Sequence, residues 1–235
     1  MSATYTPQQA FDYAKRFLKG MPLEQVQTQI LTDASSMMWM AAPWRWSVAA
    51  LPKFALTSNT QDYTVALPAD FLFIQNAYSS DETNNIPRIY HVDGFLPPGG
   101  KVGIPSRLAL VSGTAGNPGT IRLSPKPTTL PATPWEIISL YKKQAPIITN
   151  KTLNTVGSLI FDDEWFHVYV SGVLYFGYLF GDDQRAGGAQ IDPSSGRVQF
   201  TGQRGVFEAN LMIMKQRERL GGMDTTAPET KDTGN

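Results

Sequence analysis

No cysteine occurs in the 235-residue chain, so disulfide frameworks, thiolate zinc centres and cysteine nucleophiles are excluded. Histidine is nearly missing too: His91 and His167 are too few for a histidine-rich metal centre. Charge is scarce, with Asp, Glu, Lys and Arg at 17% against roughly 25% in ordinary soluble domains. Twenty basic residues balance twenty acidic ones. A net charge of zero argues against a dedicated nucleic-acid binder, whose affinity comes from basic contacts to phosphate. A surface so sparing of charge suits a chain that covers part of its exterior with partners. Long apolar runs are missing as well. The strongest, Trp165 to Phe180, would reach only about 24 Å as a helix, short of a hydrocarbon core of about 30 Å. Acidic residues flank it on both sides (Asp162, Asp163 and Glu164; Asp182 and Asp183), so a buried core helix is expected. Met1 to Gln9 is polar, without a basic stretch leading into an apolar one, and no signal peptide is expected.

What is present reads as helix at both ends and strand between. Thr6-Pro7-Gln8-Gln9 matches a capping box, with a hydroxyl at the N-cap, proline at N1 and glutamine at N3. Phe11, Ala14, Phe17 and Leu18 follow at helical spacing up to Gly20. Pro22 opens a second helix through Val26, Ile30, Ala34, Met37 and Ala41, which Pro43 ends. The two form a helical hairpin. Trp39, Trp44 and Trp46 cluster at its exit, and a packing wedge is favoured over a ligand site. Short β-prone runs then occupy 53–57, 63–67, 72–78, 107–111, 120–123 and 135–141, punctuated by Pro, Gly, Asn and Asp. Helix is expected again from Phe161 to Phe180. A Gly-rich loop from Asp182 to Gly196 leads to a last helix around Val198 to Leu220, with basic residues in its final turn. The composition of Met223 to Asn235 predicts disorder in isolation. The fold class expected is α+β: a helical bundle made of the N-terminal hairpin and two C-terminal helices (1–50 and 158–220), an inserted, mostly antiparallel β domain (51–157), and a flexible tail (221–235).

The sequence assembles no catalytic constellation. Gly99-Gly100-Lys101-Val102-Gly103 lacks the spacing and the following hydroxyl of a P-loop, and no serine sits in a GxSxG elbow. His91 and Asp93 are expected on opposite faces of an extended segment, so no triad is read there. The two acidic groups flanking Trp165 to Phe180 would lie roughly 30 Å apart at the ends of a helix, far beyond glycosidase geometry. No catalytic residue, metal site or cofactor is expected.

The order of elements, with Ala42-Pro43-Trp44-Arg45-Trp46, then Tyr63-Thr64-Val65-Ala66-Leu67-Pro68-Ala69-Asp70-Phe71, then Leu123-Ser124-Pro125-Lys126-Pro127, resembles the head-to-tail adaptor proteins of tailed bacteriophages, in the group that includes tail tubular protein A. The likeness covers roughly residues 8 to 220. It implies a structural virion protein at the neck, assembled in the cytoplasm of a bacterial host. Adaptors of this kind form a twelve-membered ring beneath the portal protein and extend the DNA channel, through which the genome passes without sequence-specific contact. The ring is also a platform for the downstream tail nozzle or tube. No membrane partner is implied. Carried onto this chain, the last helix and the tail would dock on the portal, giving Lys215, Arg217, Arg219, Met223 and Asp224 as candidates. Trp39, Trp44, Trp46, Gly172 and Gly177 are candidates for subunit contacts or core packing. A carbohydrate- or protein-binding tail module with Trp135 on its recognition surface is the second reading. A cell-wall hydrolase is the third, disfavoured because no acid/base pair can be assigned.

Overall fold

Thr6 opens the first helix as the capping pattern predicts. Its hydroxyl accepts from the Gln9 amide at 3.3 Å, and the Gln9 side chain accepts from the Thr6 amide at 2.9 Å. Two of the orphan donors at the start of α1 (Pro7–Lys15) are thereby satisfied. Thr6→Ala is expected to cost about 1 kcal/mol of stability, read as a lower unfolding midpoint. A loss near zero would mean that the stacking of Tyr5 on Phe166 (4.1 Å between centroids) sets the start of α1 instead.

The computed structural model describes residues 4–18, 20–80, 88–128, 135–159 and 161–220. The chain divides into two compact units, Met1–Trp46 with Ala145–Asn235, and Ser47–Gln144.

In the first unit α1 is followed by α2 (Gln27–Met40), α3 (Phe166–Phe180) and α4 (Gly202–Leu220). α3 is the centre. Tyr5 stacks at its start and Leu18 fills the space over Gly177 near its end, so α1 runs parallel to it. α2 packs on another face, where the buried Tyr169 hydroxyl donates to the Leu31 carbonyl at 3.0 Å. α4 returns antiparallel: the Phe207 ring lies over Gly172, and Arg217 reaches the Trp165 ring at the other end. Burial of Phe207, Leu211 and Met214 follows the i, i+4, i+7 spacing of one helix face. Before α4 the chain makes a two-stranded hairpin. Its strands β9 and β10 are numbered in chain order after those of the second unit and span Ala189–Ile191 and Val198–Phe200.

The second unit is a sheet. Its strands are β1 (Val48–Ala50), β2 (Phe54–Ala55), β3 (Asp62–Ala66), β4 (Phe71–Ser80), β5 (Arg88–Asp93), β6 (Arg107–Ser112), β7 (Pro118–Ser124) and β8 (Glu136–Lys143). The order is β1-β8-β4-β5-β6-β7-β3, with β2 also on β8. β5 and β6 are parallel, and the other pairings are antiparallel. Alternation decides the buried face. In β3, Tyr63 and Val65 point inward while Asp62, Thr64 and Ala66 are exposed. The edge strand is pinned by charge, for Arg122 on β7 grips Asp62 bidentately at 2.7 Å and also donates to the Leu96 carbonyl. That hydrogen-bonded cation holds the Asp62 carboxyl below its usual range.

The expectation of a helical bundle carrying a small β insertion is overturned. The chain is a mixed, strand-rich protein with a large eight-stranded sheet, and among the described residues ten strands stand beside four α-helices. Two strands of this sheet escape the reading of the sequence. Val48–Ala50 is too short to show a period and directly follows the tryptophans. Arg88–Asp93 directly follows Pro87, which masks its strand character. The partners that make each a strand lie far away: β1 pairs with β8, and β5 joins β4 to β6. Boundaries at the C-terminal end shift as well. The segment Val198–Phe200 is strand, and α4 begins only at Gly202.

Candidate functional site

Among its described residues the helical unit carries three apolar surfaces that stay exposed. The first comes from the register of α1. Its buried face is Ala10, Phe11, Ala14 and, just beyond the helix, Leu18, which leaves Tyr13 and Phe17 one step round and about half exposed. Their rings lie 5.9 Å apart, and the Arg16 guanidinium sits over Tyr13 at 5.7 Å. Leu179 and Phe180 are exposed at the end of α3, close to where Leu18 covers Gly177.

The second surface is the outward side of α4. Val206, Met212 and Ile213 are exposed there, across the helix from Phe207, Leu211 and Met214. A helix normally presents charge on the face turned away from its core, so an apolar stripe here marks a contact surface.

The third is the β9–β10 hairpin. All six strand residues are exposed, and Ile191 and Val198 face each other in register at 70% and 58% exposure. Both ends of the hairpin are nevertheless firmly built. At the root Gly187 and Gly202 take φ of 72° and 60°, and their backbones approach so closely that a Cβ on either would strike the other. Thr201 and Gly188 close the root with hydrogen bonds of 2.9 and 3.2 Å. At the tip Asp192 accepts from the Ser194 amide and hydroxyl and from the Ser195 hydroxyl, which lowers its carboxyl to about 2.

The residues singled out from the sequence fall on this frame as follows. Trp39 and Trp44 are buried; Trp44 stacks on Trp46 at 5.5 Å, Trp39 tilts against Trp46 at 5.1 Å, and Phe161 closes the cluster. The Trp44 indole donates to the Met38 carbonyl at 2.7 Å. Gly172 faces Phe207 and Gly177 faces Leu18, so both serve close packing within the chain. Lys215 is half-buried on α4, and Arg217 is exposed over Trp165. The Arg219 side chain, Met223 and Asp224 lie outside the described residues. Trp135 is half-buried beneath the Arg88 guanidinium at 4.8 Å. The sequence places Ala189–Ile191 in a Gly-rich loop and Val198–Phe200 at the start of the last helix, whereas the two pair as a hairpin. The signal was available in Asp192-Pro193-Ser194-Ser195-Gly196 between Ala-Gln-Ile and Val-Gln-Phe.

The sheet unit offers an open groove of about 390 Å³. β4 is irregular twice, between Phe71 and Phe73 and between Ile74 and Asn76, and pairs with β5 only from Ala77 onward. Leu72, Phe73 and Ile74 line one side of the opening, with Val92, Asp93, Gly94 and Leu110 opposite. Placing His91 and Asp93 on opposite strand faces was mistaken. Residues i and i+2 share a face, and His91 Nε2 lies 3.5 Å from Asp93. Arg107 occupies both Asp93 oxygens at 2.8 and 2.9 Å and holds that carboxyl low.

Three of the acidic residues around α3 are also engaged. Asp163 accepts from the Thr4 amide and hydroxyl, Asp162 from Arg45, and Asp183 from Arg185. Among the described residues no three acidic or histidine side chains gather as a metal site, and no helix is long and apolar enough to cross a membrane. Compared with protein-family models and with curated proteins, the chain matches none.

Proposed function

We propose that this chain is a head-to-tail adaptor of a tailed bacteriophage: a structural protein whose copies form a ring beneath the portal, extend the DNA channel and carry the tail. The observation that carries the reading is the presence of separate apolar surfaces on one helical unit, on α1 with the end of α3, on α4, and on the hairpin. A ring built by heterologous contacts needs two different complementary faces on every subunit, plus a third for the next component. The α4 stripe, ending in Lys215 and Arg217, is the portal-facing surface in this reading. The ring wall comes from the helical unit, and the sheet unit with its groove faces the tail. Zero net charge suits a conduit past which DNA slides, since many phosphate contacts would hold it.

Removing residues 221–235 is expected to weaken attachment to portal-bearing heads roughly tenfold or more, with the circular dichroism of the remaining chain unchanged. Undiminished attachment would remove the tail from the docking role. The function itself is tested by labelling the protein in infectious particles: a ring of label at the vertex where DNA leaves is expected, and label elsewhere ends the proposal.

A further inference from the structure

We infer that the β9–β10 hairpin is an assembly arm that seats on the Tyr13–Phe17 and Leu179–Phe180 surface of a second copy of this chain. The inference rests on the ring reading above and names the contact that builds the ring.

A two-stranded hairpin with no core behind it is marginal in water. This one has a closed root and a hydrogen-bonded tip, yet its apolar pair Ile191 and Val198 covers nothing. Its geometry is therefore that of an element prepared for a surface which the described residues of its own chain do not supply.

The receiving surface lies at the same end of the helical unit. The end of α1 meets the end of α3 where Leu18 covers Gly177 and Met21 lies beside Gly181. The hairpin root begins directly after α3, with Gln184–Ala186 and Gly187. Hairpin and aromatic surface thus stand at one level of α3, and both stay exposed in the single chain. Two different faces at one level are what a closed ring of heterologous contacts requires.

Charge and area agree with a second copy as the occupant. The hairpin tip carries Asp192 and Arg197, and the receiving surface carries Asp12 and Arg16. Asp192 is already held by Ser194 and Ser195, which leaves Arg197 at the tip to meet Asp12 at the rim. Six large apolar residues, Tyr13, Phe17, Leu179, Phe180, Ile191 and Val198, stay between 43% and 70% exposed on the two faces, which suits a contact at the lower end of specific interfaces. A single contact of this size is weak. It becomes stable when a ring closes or when a portal holds neighbours side by side.

The absence of cysteine makes the test clean, because only introduced thiols react. Phe17→Cys and Ile191→Cys are placed in one full-length chain, and a bismaleimide with a spacer of about 10 Å removes the need for disulfide geometry. The double variant at high concentration is expected to give a ladder of covalent multimers, and each single variant is expected to give none. No ladder overturns the inference. So does a dimer from Ile191→Cys alone, which would mean a hairpin-to-hairpin contact. As a second reading of the same contact, Ile191→Glu with Val198→Glu is expected to weaken self-association roughly tenfold or more in sedimentation, at unchanged helical circular dichroism. Unaltered association overturns the arm. The two proposals fail separately: vertex-located protein without a ladder removes the arm alone, and a ladder from a protein found away from the vertex removes the adaptor reading alone.

Discussion

Phe207→Ala is expected to destabilise the helical unit by about 3 to 5 kcal/mol, the range for emptying a fully buried aromatic site. The ring is completely buried, and its tip lies over Gly172 between α4 and α3. A Cβ at position 172 would lie 2.8 Å from the Phe207 ring tip, which real contacts do not allow. Gly172→Ala therefore sets a gain in helix propensity of about 1 kcal/mol against overpacking of about 1 to 3 kcal/mol. In the Phe207→Ala background the obstacle is gone and only the gain remains. Denaturant unfolding of the four proteins should show the double variant more stable than the sum of the singles by at least about 1 kcal/mol. Additive effects would show that Gly172 is not set by the aromatic ring.

The second large effect is a rise of sheet stability with alkaline pH. Lys142 on β8 is 3% exposed, and its Nζ donates to the Ser47 hydroxyl at 2.7 Å. Burial disfavours the ammonium form and lowers the group from 10.5 to about 8. Between those values the unfolded chain holds the proton and the folded chain does not. The unfolded state binds more protons there, so stability climbs as pH rises. Below about 8 the lysine is charged in both states, and the penalty is constant and fully present. The gain across the window should be on the order of 2 kcal/mol once residual hydration and the Ser47 contact are allowed for. Near the top of the window the Tyr63, Tyr90 and Tyr141 phenols, all raised chiefly by burial, act in reverse, because the folded state keeps protons that the unfolded chain releases. Stability of the sheet unit, followed by denaturation midpoint, should thus rise from pH 8 and turn over above about pH 10. Lys142→Met should lose the rise and keep the fall. A rise of equal size in that variant would assign the effect elsewhere.

Local chemistry made some elements legible. The Thr6 and Gln9 capping pair could be read from four residues, because both hydrogen bonds are made within one turn. The alternation in Tyr63–Leu67 could be read because β3 buries one side of its pleat. What escaped depends on partners distant in the chain. Val48 becomes strand by meeting Lys142, and His91 does so by meeting Arg107. Phe17 was placed with the buried apolar positions, yet it is half exposed, since hydrophobic spacing does not say how wide the covered stripe is. The same limit hid the candidate surfaces. Val206, Met212 and Ile213 are indistinguishable in the sequence from the core positions Phe207, Leu211 and Met214 that alternate with them.

The sheet unit begins and ends on adjacent strands, with Val48 directly opposite Lys142. Its two ends are therefore about one strand spacing apart, roughly 5 Å. A helical scaffold interrupted at such a point has almost no gap to bridge, whatever the size of the insert. A longer, shorter or different insert at this point would therefore leave the helical frame almost unchanged.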